Sequence, residues 1–282
     1  MKIRCMTTDD LTRAAAFTAA EGWSSETLTT FESFHANDPQ GCFIAEEHGR
    51  CTGICVATGY RRSGFVGELI IAPGRRNRGN GRRLLQHAID YLRGRGREEI
   101  HLDGVARAVP LYERMGFARV CRSLRYAGRL GTADTPGVRP MTASDLPAVR
   151  KLDAEAFGDD RAFFIEWFLE RSPELCLVLD QGAGPDAFIL GRYGDGSLAA
   201  GPWVVRPGTE RPERLLRALA AAGNGRSIGL GVLESNTAAV AAVESLGLRR
   251  HPDPPWRMVL GSSQNRLGGS ASSWAVGSAA KG

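Results

Sequence analysis

The chain has 282 residues, is 43% apolar and 24% charged, and carries a formal net charge of +5. That length suits two domains of ordinary size, each able to bury a core. No run approaches the ~18 apolar residues of a membrane helix, Asp9 and Asp10 argue against a secretory leader, and six scattered cysteines without a CxxC pair fit reduced core thiols of a cytoplasmic protein rather than a zinc centre.

Asp10 is placed to cap a helix whose Leu11, Ala14, Ala15 and Thr18 share one face. Residues 42–45 and 53–57 read as adjacent strands around a Glu-His-Gly turn, and 65–71 as a third. The most informative segment follows: Arg75-Arg76-Asn77-Arg78-Gly79-Asn80-Gly81-Arg82-Arg83. Two glycines let the backbone approach a ligand closely. The next helix begins with N–H groups that have no intrahelical partner. Free donors, a positive helix end and five arginines make a site for phosphate. Leu84, Leu85, Ala88, Ile89 and Leu92 mark that helix as amphipathic. Residues 100–105 read as a strand, 109–115 as a short helix, 117–126 as a strand or strand pair, and 129–137 as a polar linker.

The charge is local. Residues 1–128 hold 19 Lys and Arg against 14 Asp and Glu, whereas 138–260 hold 14 against 16. The basic excess therefore points to one anion site. It does not suggest a nucleic-acid surface, which needs a longer basic stripe and interleaved aromatics. The loop also lacks the GK[ST] ending of a nucleotide-hydrolase P-loop.

The chain repeats itself. Arg4-Cys5-Met6-Thr7 recurs as Arg139-Pro140-Met141-Thr142, Ile71-Ala72-Pro73 as Val205-Arg206-Pro207, and Met115-Gly116-Phe117 as Leu246-Gly247-Leu248. The offset shortens by three residues between Pro207 and Leu215, where the second copy should carry its glycine loop. It reads Gly-Thr-Glu-Arg-Pro-Glu-Arg there. The period patterns thus describe one mixed α/β unit used twice, with the phosphate loop lost from the second copy. The Gly/Ser-rich tail after Gly261 holds Trp274-Ala275-Val276 and is expected to dock as a final strand.

Ile71-Ala72-Pro73 followed by Arg76-Asn77-Arg78-Gly79-Asn80-Gly81 resembles the Q/R-x-x-G-x-G/A loop of the GNAT superfamily of acyl-CoA-dependent N-acetyltransferases. Tyr112-Glu113-Arg114-Met115-Gly116-Phe117 resembles a second element of that family. Glu21-Gly22-Trp23, residues 38–43, Leu102-Asp103-Gly104, and Asp153 with residues 157–161 look like a bacterial tandem-GNAT subgroup. The resemblance implies an α/β fold of two tandem domains, each a mixed, largely antiparallel sheet flanked by helices. Residues 1–128 would be the catalytic, acyl-CoA-binding domain, 129–137 the linker and 138–282 a degenerate copy. It implies acetyl-CoA or another short acyl-CoA as co-substrate, no metal, and a small-molecule amine as acceptor. It implies no nucleic-acid or membrane partner. Two copies in one chain mimic a dimer of single domains, so a monomer is expected.

The resemblance also assigns residues. Pantetheine would lie in a wedge between the strand ending at Ile71 and the strand 100–105, pairing with Leu69, Ile70 and Ile71. The pyrophosphate would sit on N–H groups of Arg76, Asn77, Arg78, Gly79, Asn80, Gly81 and Arg82. An N–H near Ile71 would stabilise the oxyanion. Tyr112 is the expected general acid, and Glu21 and Trp23 are expected to shape the acceptor pocket. Two carboxylates compete for general base: Glu68, a charge within an apolar strand, and Asp103, at a strand end. Val105 stands where many GNATs carry an asparagine that touches pantetheine, while the second copy has Asn236 at that position but Val243 at the tyrosine position. One acyl-CoA is therefore expected, in the first half. The competing class is an acyl-CoA sensor without turnover, which would not need Tyr112.

Overall fold

A computed structural model describes residues 1–131, 133–182, 184–261 and 267–282. Strand and helix periods become elements in chain order. The first half holds β1 (Lys2–Cys5), α1 (Leu11–Ala20), α2 (Leu28–Asn37), β2 (Cys42–Glu47), β3 (Arg50–Gly59), β4 (Ser63–Ile71), α3 (Asn80–Gly94), β5 (Glu99–Gly104), α4 (Val109–Arg114) and β6 (Ala118–Gly128). The second holds β7 (Val138–Pro140), α5 (Leu146–Phe157), α6 (Ala162–Arg171), β8 (Cys176–Asp180), β9 (Pro185–Tyr193), β10 (Ser197–Val205), α7 (Glu213–Ala222), β11 (Ser227–Leu233), α8 (Thr237–Ser245), β12 (Arg249–Arg250), β13 (Trp256–Leu260) and β14 (Ser273–Ala275). Asp10 occupies the N-cap position of α1, but its carboxylate turns back to the Thr7 N–H and to Arg4.

The strands form one mixed sheet in the order β1-β2-β3-β4-β5-β13-β6-β11-β10-β9-β8-β7. In the first half, α3 packs Leu84, Leu85, Ala88, Ile89 and Leu92 onto one face, against Phe43, Ala45 and Ala57. The helices α1 and α2 cover the other face through Leu11, Ala14, Phe31 and Phe34. Each such buried Leu, Ile or Phe contributes about 1.5–3 kcal/mol. Cys42, Cys55 and Cys176 are buried; Cys5, Cys51 and Cys121 are only half-buried.

The sheet crosses the boundary drawn at 129–137. Strand β13, from the second half, lies between β5 and β6, with Trp256 opposite both Gly104 and Arg122. The far end of β6 pairs with β11, from Ser123 opposite Leu233 to Gly128 opposite Ile228. Each half thus completes the other. A charged pin marks the exchange. Arg257 on β13 is 1% exposed and donates to Asp103 Oδ1 at 2.6 Å. A second clamp comes from Asp159, whose carboxylate accepts the N–H groups of Arg61, Arg62 and Ser63 at the start of β4.

The tail docks. Strand β14 pairs antiparallel with β10, Trp203 opposite Ala275. Residues beyond it run on to the first half, where Ala280 packs against Gly67. A Cβ on Gly67 would stand 2.3 Å from the Ala280 Cβ, so only glycine fits. Among the described residues, no helix is long and apolar enough to cross a membrane.

Candidate active site

The glycine loop joins β4 to α3. Asn77 and Gly79 adopt positive φ, 60° and 76°. Left-handed residues of this kind gather consecutive N–H groups into an anion-binding concavity. Gly79 is also the N-cap of α3, so the open end of a 15-residue helix faces the same point. Asn80 turns its side chain inward and donates to Arg75 O at 3.0 Å, holding the loop closed. Arg76 donates from Nε to Ile71 O at 2.7 Å. Arg76, Asn77, Gly79, Gly81 and Arg82 line the cavity described below; Arg78 stays exposed outside it. The two glycines differ. A Cβ at Gly79 meets nothing within 4 Å, so alanine there is strained by conformation alone. A Cβ at Gly81 would make ordinary contacts at 3.6 Å with Leu111 and 3.7 Å with Ile71. The left-handed strain is about 1–2 kcal/mol. Gly79→Ala is therefore expected to raise KM for the expected acyl-CoA by roughly five- to thirtyfold, and Gly81→Ala to leave it within about twofold. Steady-state kinetics on both checks this; equal effects would contradict it.

Beside the loop the sheet opens. Strands β4 and β5 pair in parallel only from Ser63–Phe65 to Glu99–His101. The cause is a bulge in β4. Val56 faces Gly67 and Ile54 faces Ile70, leaving Glu68 and Leu69 opposite Cys55 alone. Glu68 takes φ 51° there. Beyond the bulge, Ala72 donates its N–H to Thr52 O. By the alternation of an antiparallel ladder, Ile70 also faces β3, while the N–H groups of Leu69 and Ile71 point away from it, into the wedge. The backbone of Ile70 thus faces β3 rather than the wedge, and its side chain packs in the core.

One cavity of about 1220 Å³ runs from the phosphate loop through the wedge to the junction of the halves. Leu69, Ile71, Val105 and Tyr112 line it on the loop side; Trp23, Glu26, Glu68 and Arg192 line it at the junction. The Tyr112 ring packs 6.0 Å from that of Phe117, and burial raises its phenol pKa. Glu68 is 4% exposed, and its Oε2 meets no hydrogen-bond partner. Burial, then the charge of Glu26, raises its pKa well above the usual range, against the opposing pull of Lys281.

Two expected residues are engaged by arginines. Asp103 lines the cavity but does not suit a base. Arg257 Nε, Arg125 Nη2 and Ser123 Oγ donate to it at 2.6–2.8 Å. Burial alone would raise its pKa, but the two guanidinium charges outweigh that and bring it down to about 2. Glu21 is absent from the cavity lining. It is bonded by Arg76 and Arg107 beside the phosphate loop. Burial pushes its pKa up, but these two partners outweigh it and hold the carboxyl below its usual value. The carboxylate that faces the junction is Glu26, five residues later, which the sequence reading missed along with Arg107 and Arg192. An arginine inside the apolar run Phe188-Ile189-Leu190-Gly191-Arg192 was the available signal.

The second half shows what became of its own wedge. Strands β10 and β11 pair in parallel over Ser197–Ala200 and Ser227–Leu230. Beyond that point β14 occupies the edge of β10, with Trp203 and Trp274 rings 5.0 Å apart. Val276 donates its N–H to Gly231 O. Asn236 donates to Ala271 O at 3.0 Å and Ser273 O at 2.9 Å. The chain's own tail fills the groove, and Asn236 is committed to it.

Comparisons with known proteins identify the family and the fold. Residues 8–117 match the acetyltransferase (GNAT) family and residues 149–269 a GNAT acetyltransferase domain. Over 130 residues the chain is 35% identical to a mycothiol acetyltransferase of Acidimicrobium ferrooxidans, covering 43% of this chain and 42% of that protein. It spans about half the length of the curated relatives it matches, from 42% to 64%. In fold it is similar to a candidate acetyltransferase from Pyrococcus horikoshii, with TM-score 0.82, 23% identity, and coverage of 100% of this chain and 95% of that one. It is also similar to a tandem GNAT protein from the clavulanic acid biosynthesis pathway, with TM-score 0.62, 17% identity, and coverage of 93% and 99%. The chain belongs to the GNAT acetyltransferase family and carries two of its domains in tandem.

Proposed function

We propose that this protein is an acyl-CoA-dependent N-acyltransferase that prefers acetyl-CoA and acts on a primary amine of a small molecule by direct attack in a ternary complex. Glu68 carries the reading. It is a buried carboxylate with an unpartnered Oε2, set on the bulge that opens the wedge, in the same cavity as the phosphate loop and Tyr112. The residues present suit acyl-CoA: the glycine loop and the start of α3 for the pyrophosphate, Arg76, Arg82 and Arg107 for its charge, and the inward N–H groups of Leu69 and Ile71 for pantetheine. Acetyl-CoA supplies a thioester-activated acyl group and a thiolate leaving group.

The chain's own groups supply the rest. Ionised Glu68 accepts the proton of the attacking amine; its raised pKa makes it a stronger base than an exposed glutamate. The N–H of Ile71, held by the strand before reaction, donates to the developing oxyanion. Burial keeps the proton on Tyr112, so its hydroxyl is a donor as charge builds on the departing sulfur. Walls from both halves shield this exchange from bulk water.

Tyr112→Phe is expected to lower kcat by roughly 10- to 100-fold with KM for acetyl-CoA little changed, the mark of a group acting in the transition state. Free-thiol release from acetyl-CoA with a panel of primary amines measures it. Acyl-CoA binding without thiol release for any amine would instead favour the sensor.

A further inference from the structure

Four ionisable side chains meet where the halves face each other. Glu26, between α1 and α2, and Glu68, on the bulge, come from the first half. Arg192 comes from β9 and Lys281 from the tail. All are buried, at most 5% exposed. Each keeps an atom without a hydrogen-bond partner: Glu26 Oε2, Glu68 Oε2, Arg192 Nε and Lys281 Nζ. Orphaned polar groups of this kind are costly when buried, and charged ones more so. A cluster that served only to neutralise itself would close into ion pairs, yet among the described residues no ion pair joins these four.

Lys281 has an internal explanation. Its Nζ lies 4.8–5.0 Å from the ring centroids of Phe34, Phe164 and Phe168, an aromatic cage for a cation. Arg192 is less well accounted for. Its Nη1 donates to Gly201 O at 2.7 Å, and its guanidinium lies 5.5 Å from the Phe168 ring. The Nε edge has no partner. Arg192, Glu26 and Glu68 all line the cavity that holds the wedge.

We propose that the acceptor is a small amine that also bears a carboxylate. This rests on the acyltransferase reading and names its substrate class. The carboxylate seats on the buried, unpartnered Nε edge of Arg192, whose planar fork suits it. The amine lies toward Glu26 and Glu68, on the bulge next to the inward N–H groups. Glu26 attracts the ammonium form, and Glu68 takes its proton. An acceptor of this class satisfies both orphaned carboxylates and the orphaned guanidinium at once.

The test is thiol release from acetyl-CoA with glycine, β-alanine, γ-aminobutyrate, L-alanine and L-leucine, each against its own carboxamide and its aminophosphonate analogue. Rates are compared per free-base amine. At least one acid is expected to exceed its carboxamide in kcat/KM by about tenfold to hundredfold, the scale of a charge-assisted hydrogen bond. Arg192→Gln is expected to bring that ratio toward one. If Arg192→Gln does not fold, Arg192→Lys keeps the charge without the fork and is expected to give an intermediate ratio. Carboxamides equal to or better than the acids would overturn the proposal while leaving acyl transfer intact. Preference for the aminophosphonates would overturn the carboxylate assignment. No thiol release with any amine would overturn the underlying acyltransferase reading itself.

Discussion

Glu68→Gln is expected to lower kcat/KM by about 10²- to 10⁴-fold, the usual contribution of a positioned general base. The substitution is nearly isosteric, so the bulge at Gly67–Leu69 and the inward N–H groups should persist. What it removes is the proton acceptor. The pH profile separates this from a packing effect. In the wild type, kcat/KM should fall on the acid side as Glu68 becomes protonated, and that fall should begin at a pH above the ordinary carboxylate range, because burial and Glu26 raise its pKa. The variant should lack that limb. Stability should move the other way. The stability linked to a raised carboxylate is fully present below its unfolded pKa and is lost as pH rises through the raised folded value. Glutamine cannot ionise, so the variant should be at least as stable as the wild type at pH 7. A variant that kept both the wild-type rate and its acid limb would remove Glu68 from the mechanism.

Arg257→Met is expected to cost about 3–5 kcal/mol of stability, the range for removing one partner of a buried ion pair. The Asp103 side chain is fully buried, and Arg257 is 2% exposed at its side chain. Without the guanidinium, Asp103 keeps only Arg125 and Ser123 as partners, and β13 loses its pin between β5 and β6. Changing both residues, Asp103→Asn with Arg257→Met, should recover part of the loss, because the carboxylate is then no longer charged. The pH dependence follows from the depressed pKa of Asp103, about 2. The stability it contributes is present above its unfolded value near ~3.9 and is lost as pH falls through about 2. The gap between wild type and Arg257→Met should therefore narrow as pH falls across that window. Urea unfolding at several pH values measures this. A variant as stable as the wild type at pH 7 would show that the strand exchange does not depend on this pair.

The most legible parts of this protein were those whose evidence is contiguous. The glycine loop announces itself because backbone approach, free N–H groups and arginines fall within nine residues. The repeat exposed the missing second loop because a deletion shifts the offset of everything after it. Glu68 was noticeable as a charge within an apolar strand, although its bulge was not. The rest depended on long-range pairing. Asp103 and Arg257 are 154 residues apart, and a short, mostly apolar run such as 256–260 fits a slot in either half equally well. The buried arginine was the local clue, but it means little until its aspartate is known. The same limit explains Glu21. Position beside the first two helices suggested the acceptor pocket, yet the side chain found Arg76 and Arg107. Filling of the second wedge by the tail was legible only in part, as Trp274-Ala275-Val276 and an asparagine with no visible task.

One acyl-CoA site per chain is expected, built by the first half, because residues 271–276 fill the second half's groove. Native mass spectrometry of the full chain with excess acetyl-CoA tests it most directly. One bound acetyl-CoA per chain is expected, lost when the Arg76–Arg82 loop is disrupted. Two bound molecules per chain, or one that survives disruption of that loop, would contradict it.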